Sequence, residues 1–85
     1  MGRKPKTPDL TGLPEWQQRF ARELRAQMKV QGLSNRDIGE HVGKSAEMVR
    51  EWQRGTSEPR IGQVLAVAEI LGTTFADLTG IGLDD

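Results

Sequence analysis

The chain has 85 residues, no cysteine and a single histidine, His41. This length fits one small domain, and without thiols or several imidazoles the chain has neither a disulfide framework nor the usual ligands of a metal site. No apolar run approaches the length of a membrane span, and the first residues are basic rather than apolar. We therefore expect a cytoplasmic protein that is not an enzyme and that has neither a metal nor a cofactor.

Basic and acidic side chains are equal in number, at 12 each, but they are unevenly distributed. All 12 basic residues lie within residues 1–60, together with 8 acidic ones, whereas residues 61–85 contain 4 acidic residues and no basic one. This asymmetry is typical of a protein that presents one basic face to a nucleic acid, although small domains also segregate charge by chance.

The first 14 residues contain three of the four prolines and few apolar side chains, which predicts a flexible arm. The arm is basic because of Arg3, Lys4 and Lys6. Pro14 followed by Glu15 is typical of a helix start, since proline suits the first turn and an acid complements the helix dipole.

A first helix is predicted from Glu15 to about Gln31, ending at Gly32. Its apolar residues recur at every fourth position, which places them on one stripe: Trp16, Phe20, Leu24 and Met28. We interpret these aromatic residues, with Trp52, as core rather than as stacking platforms for single-stranded nucleic acid.

Two short helices follow. Ser34 is a predicted cap for a helix from Asn35 to Val42, with Asp37 as its capping-box partner and with Ile38 and Val42 facing inward.

After a turn at Gly43, Ser45 is the predicted cap of a third helix from Ala46 to about Gln53. Its inward residues are Val49 and Trp52. Two short helices joined by a turn that contains glycine predict a helix-turn-helix, whose second helix enters the major groove of DNA.

A fourth helix is predicted from Ile61 to Leu71 and a short fifth from Phe75 to Thr79. The apolar residues of the fourth helix recur at helical spacing: Ile61, Val64, Leu65, Ala68 and Leu71. Residues 81–85 form a short acidic tail. Because no segment alternates with a period of two, we expect an all-α domain of five helices over residues 15–80.

The run GLSNRDIGEHVGKSAEMVREWQRGTSEPR at residues 32–60, followed by IGQVLAVAEILGTTFADLTG at residues 61–80, resembles the lambda-repressor-like, Cro-type helix-turn-helix family, also called the xenobiotic-response-element type. The resemblance covers residues 20–80. It implies a sequence-specific regulator of transcription that binds double-stranded DNA, a repressor of bacterial or phage type that occupies a two-fold operator as a homodimer. Such a protein would be associated with the nucleoid. The sequence departs from the usual pattern at four positions: Asn35, Gly39, Lys44 and Gln53.

The positions that the resemblance aligns with base-reading residues are Ala46, Glu47, Arg50 and Glu51. Arginine pairs with guanine through two hydrogen bonds, glutamate accepts from the amino group of cytosine, and alanine meets the thymine methyl. The alternative for the two glutamates is a structural role, complementing the helix dipole or pairing with Arg50 and Arg54.

Polar residues at helix starts and in the loop after the third helix are the predicted phosphate contacts: Asn35, Arg36, Lys44, Ser45, Arg54, Thr56, Ser57 and Arg60. Each is also an ordinary surface residue when considered alone. The basic arm either follows a groove of the DNA or serves as a solubilising tail or cloning remnant. His41 is predicted to be a surface or half-buried residue.

The apolar residues near the C-terminus are the predicted dimer contacts: Phe75, Leu78, Ile81 and Leu83. A different class of function is also compatible with this fold, namely a protein-interaction module such as an antitoxin or a phage accessory protein. The basic recognition surface favours DNA, and the zero net charge weakens that preference.

Overall fold

The computed structural model describes residues 9–82, and in that range it consists of five α-helices without a strand. The helices are α1 (Glu15–Gln31), α2 (Asn35–Val42), α3 (Ala46–Arg54), α4 (Ile61–Leu71) and α5 (Phe75–Thr79). The predicted all-α fold is confirmed, and α3 is one residue longer than predicted. Four residues with predicted roles lie outside the described range: Arg3, Lys4, Lys6 and Leu83.

The predicted helix caps form. The Ser34 hydroxyl accepts from the backbone N–H of Asp37 at 3.0 Å, and the Asp37 carboxylate accepts from the backbone N–H of Ser34 at 2.9 Å. That backbone N–H, followed by the Ser34 side chain, lowers the pKa of Asp37 below its ordinary value of 3.8. The Ser45 hydroxyl likewise accepts from the N–H of Met48 at 3.1 Å. Local hydrogen bonds thus define where α2 and α3 begin.

The core lies between α1 and the other four helices. Its largest buried side chains come from every helix: Phe20, Leu24, Ile38, Val49, Trp52, Val64, Val67 and Leu78. The rings of Phe20 and Trp52 meet edge to face with their centroids 6.2 Å apart, and Trp16 packs against the same cluster. These contacts hold α3 against α1 and confirm that Phe20 and Trp52 are core residues.

The exposed side of α4 differs from what its apolar pattern suggests. Ile61 is 68% exposed and Leu65 is 52% exposed, whereas Val67 is fully buried. Helix α4 packs against the bundle through Val64, Val67, Ala68 and Leu71, so Ile61 and Leu65 lie on its solvent-facing side. Val42, expected to face inward, is half-buried at the edge of the core.

Leu78 requires a correction. It is 1% exposed and belongs to the core, so the expectation that it lies on a dimer surface is wrong. Helix α5 packs along α1, and Nε of Arg19 donates to the backbone oxygen of Asp77 at 3.0 Å. With α5 held in this way, Leu78 faces the bundle, Phe75 is half-buried and Ile81 is 48% exposed.

Candidate nucleic-acid interface

Helix α3 has one buried face and one accessible face. Val49 and Trp52 are buried, which fixes the rotation of the helix about its own axis. The accessible face carries the four predicted base-reading residues: Ala46, Glu47, Arg50 and Glu51. Of these Glu47 is exposed and the other three are half-buried. The short side chain at Ala46 leaves the first turn of α3 open to an approaching surface.

Charged side chains on this accessible face pair with one another. Glu47 Oε1 accepts from Nη1 of Arg50 at 2.5 Å, and its Oε2 lies 3.9 Å from Nη1 of Arg54. Glu51 makes no ion pair within the described residues. In the free protein, Glu47 therefore has the pairing role that was the alternative to base contact.

The turn between α2 and α3 is tightly packed. Gly43 adopts a left-handed conformation with φ +83°, and its N–H and that of Lys44 both donate to the oxygen of Gly39. A Cβ at Gly39 would lie 2.5 Å from the backbone oxygen of Lys44. Glycine therefore fits at this position, and the close approach fixes the angle between the two helices.

The first residue of α2 is joined to the last turn of α3. Nε2 of Gln53 donates to Oδ1 of Asn35 at 2.5 Å, and both residues are half-buried. Arg36, beside Asn35, is exposed and pairs with Glu40 at 3.1 Å. Asn35 and Gln53 are two of the departures from the usual pattern, and here they contact each other.

The other predicted phosphate contacts surround α3. Lys44 and Ser45 are exposed just before its first residue, and the Ser45 hydroxyl also caps the helix. Beyond its last turn, the hydroxyl of Thr56 donates to the backbone oxygen of Glu51, and that of Ser57 donates to the sulfur of Met48. Arg54 and Arg60 are exposed. The structure thus places Lys44 and Ser45 before α3 and Arg54, Thr56 and Ser57 at or just after its end, whereas Arg60 immediately precedes α4.

A basic groove beside α3 was missed by the sequence reasoning. It encloses about 690 Å³ between α1, the segment before it and Gln53. Three exposed basic side chains of α1 line it: Arg22, Arg25 and Lys29. Their spacing of three and four residues along a helix was the available signal, since it places them on one face.

The segment just before α1 packs against the end of α3. A Cβ at Gly55 would lie 2.6 Å from Leu13 Cδ1 and 2.9 Å from Leu10 Cδ2, so both leucine side chains cover this glycine. Residues 9–14, predicted as part of a flexible arm, therefore contact the domain.

His41 of α2 is exposed, and its Nε2 lies 3.1 Å from Oε1 of Glu69 in α4. Within residues 9–82, no three acidic or histidine side chains are grouped in a way that could hold a metal ion. None of the helices described has the length and apolar character needed to cross a membrane.

Comparison with known proteins gives consistent matches. The helix-turn-helix family model matches residues 24–78. The clp gene regulator ClgR from Corynebacterium glutamicum is 25% identical with a TM-score of 0.70, over 76% of this chain and 69% of that one. The P22 c2 repressor, solved in complex with a synthetic operator, is 25% identical with a TM-score of 0.66, over 69% of this chain and 89% of that one.

Hydroxypropylphosphonic acid epoxidase from S. wedmorenis matches with a TM-score of 0.69 and 24% identity over 76% of this chain. The match spans only 35% of the epoxidase, so this likeness concerns the fold alone. No curated protein sequence matches the chain.

Proposed function

The chain belongs to the helix-turn-helix family, and from that premise we propose that it represses transcription by binding a two-fold operator as a homodimer. The family and its regulator neighbours indicate a DNA-binding transcriptional regulator rather than an enzyme, as the sequence predicts. The proposal includes the operator, the dimer, the individual contacts with DNA and a cytoplasmic, nucleoid-associated location.

The observation that carries the proposal is the division of α3 into two faces. Val49 and Trp52 anchor the helix in the core, while Ala46, Glu47 and Arg50 remain accessible on the other side. A helix fixed in this way presents the same side chains to every DNA site, as base readout requires. Arg50 reads guanine in this proposal, and Ala46 meets a thymine methyl.

The phosphate contacts position α3 in the groove and do not select sequence. Residues at the two ends of α3, at the start of α2 and just before α4 make these contacts: Asn35, Arg36, Lys44, Ser45, Arg54, Thr56, Ser57 and Arg60. To these we add the basic α1 residues Arg22, Arg25 and Lys29, because their groove adjoins Gln53, which is hydrogen bonded to Asn35.

The dimer surface that we propose is centred on Ile61 and Leu65 of α4 and on Ile81, which follows α5. Ile61, Leu65 and Ile81 are among the few large apolar side chains that the described residues expose, and Phe75 lies beside them. In a two-fold contact the same patch meets itself, so Ile61, Leu65 and Ile81 of the two subunits can cover one another. This surface replaces the one that included Leu78.

The experiment that tests the proposal is selection from a random pool of duplex DNA, followed by sequencing, at two salt concentrations. A dimeric reader enriches a two-fold motif with half-sites about 34 Å apart, or one helical turn. Binding that disappears at higher salt and enriches no motif contradicts the proposal. The exposed apolar patch would then favour the alternative, a protein-interaction module such as an antitoxin or a phage accessory protein.

A further inference from the structure

The ion pair between Glu47 and Arg50 occupies the middle of the surface that faces DNA in the proposed function. Its two side chains are 57% and 43% exposed, so water surrounds the pair in the free protein. The same carboxylate lies 3.9 Å from Arg54, so Glu47 is central to a three-residue charge cluster. We propose that Glu47 acts as a specificity filter, which allows tight binding only where a cytosine amino group adjoins the guanine read by Arg50.

The ion pair leaves hydrogen-bond donors of Arg50 and lone pairs of Glu47 available for DNA. One Nη1 donor of Arg50 is engaged by Glu47, and an arginine has five donors in all. The remaining donors are sufficient for the two acceptors, O6 and N7, of a guanine. The Glu47 carboxylate keeps unused lone pairs, and they can only accept hydrogen bonds.

The Glu47 carboxylate is desolvated when the protein binds DNA. When α3 enters the groove, water leaves the Glu47 carboxylate, and a buried charge without enough partners is strongly unfavourable. A base edge that presents acceptors, such as guanine or the O4 of thymine, worsens this cost. Cytosine presents an amino donor with no acceptor beside it on that edge, whereas adenine places N7 next to its amino group.

Glu47 and Arg50 are three residues apart on α3, which corresponds to about 4.5 Å along the helix axis. This separation is close to the spacing of neighbouring base pairs, about 3.4 Å, so in this proposal the two side chains read adjoining base pairs. The filter therefore selects a cytosine amino group next to the guanine.

The negative charge has a second consequence away from the operator. Non-specific binding comes almost entirely from attraction between basic side chains and phosphates. Glu47 pairs with Arg50 and lies near Arg54, so it offsets part of their positive charge and weakens binding to every sequence that lacks the cytosine donor. Specificity here results from repulsion of wrong sites as well as attraction to the right one.

The inference rests on the proposed function, and the test compares the whole protein with its Glu47→Gln and Glu15→Gln variants. Glu15→Gln is the control, because it makes the same charge change at an exposed side chain in the first turn of α1, outside the surfaces proposed for DNA and for the dimer. Circular dichroism of each variant first establishes that the fold is retained. Each protein is then used in duplex selection, and its affinity is measured for the selected site and for a scrambled duplex.

We expect the wild-type motif to contain a cytosine next to a guanine in each half-site. Glu47→Gln should bind the scrambled duplex several-fold more tightly, keep the guanine and lose the cytosine preference, so that its specificity ratio falls about tenfold. Glu15→Gln should change both affinities by the same factor.

Three outcomes overturn the inference. A wild-type motif without the cytosine does so, as does a Glu47→Gln variant that keeps the cytosine preference or loses no more specificity than Glu15→Gln. If the wild-type protein enriches no motif at all, the proposed function fails first, and the filter fails with it.

Discussion

Gln53 in the last turn of α3 donates a hydrogen bond to Asn35, the first residue of α2. Nε2 of Gln53 also lies 3.3 Å from the backbone oxygen of Val49, so a single amide links the start of one helix to the end of the next. The pair is half-buried and lies beside the basic groove of α1. A hydrogen bond that holds α2 and α3 together therefore lies next to the surface that we propose for DNA binding.

This connection predicts coupling between the two side chains. Asn35→Ala and Gln53→Ala should each lower the free energy of unfolding by about 1 kcal/mol, the usual value of one hydrogen bond. Urea denaturation of both single variants and the double variant measures the coupling directly. The double variant should lose less than the sum of the two single losses, and strict additivity would show that the bond contributes nothing to stability.

Gly39 should tolerate alanine poorly although it lies inside a helix. The added Cβ would lie 2.5 Å from the oxygen of Lys44, a backbone atom that cannot move without opening the turn. We expect Gly39→Ala to cost about 2 kcal/mol of unfolding free energy, since overpacking outweighs the gain in helix propensity. Gly62→Ala is the matched control in α4, where the Cβ meets open space, and it should stabilise the protein by about 0.5–1 kcal/mol. Equal effects at the two glycines would refute this account.

The capping box at α2 predicts an acid-sensitive contribution to stability. Hydrogen bonding to Ser34, first through its backbone N–H, holds the pKa of Asp37 below 3.8. A lowered folded-state pKa stabilises the protein above about pH 3.8, and this contribution is lost as the pH falls through the folded-state value. Asp37→Asn should therefore be less stable than wild type at pH 7 and should lose less stability between pH 4 and pH 2. Thermal unfolding across that range tests this, and parallel curves for the two proteins would contradict it.

Substitution of Leu78 should lower stability, whereas substitution of Ile81 should weaken self-association. Leu78→Ala opens a cavity in the core and should cost about 2–5 kcal/mol of unfolding free energy. Ile81→Glu and Ile61→Glu change exposed side chains, so both should keep the wild-type unfolding midpoint at low protein concentration while shifting the protein to monomer in sedimentation. An unchanged mass in both glutamate variants would rule out the proposed dimer surface.

The basic groove of α1 predicts a change in salt dependence. Replacing Arg25 and Lys29 by alanine should weaken binding to specific and scrambled duplexes equally and reduce the slope of log affinity against log salt by about 1 for each lost contact. Arg19→Ala is the control on the same helix, because its side chain is bonded to α5 through Asp77. Its salt slope should stay at the wild-type value. An unchanged slope after loss of Arg25 and Lys29 would exclude α1 from the interface.

The extent and order of the five helices follow from local features that a sequence displays directly. Four-residue spacing placed Phe20 and Leu24 on one stripe, and Ser34 and Ser45 marked the starts of α2 and α3, because caps satisfy backbone groups within a few residues. The accessible face of α3 was equally predictable. Once Val49 and Trp52 point inward, helical geometry directs Arg50 and Glu47 outward.

Only the tertiary structure decided which apolar faces are covered. Periodicity shows that α4 and α5 have apolar sides, but it does not show how far a neighbouring helix extends over them. Ile61 and Leu65 therefore remain exposed, and Leu78 is buried against expectation. The same holds for the Asn35–Gln53 bond and the groove of α1, since both join residues far apart in sequence whose approach depends on the packing of whole helices. Local chemistry determined the elements of this protein, and the arrangement of its helices determined which of their residues remain available to a partner.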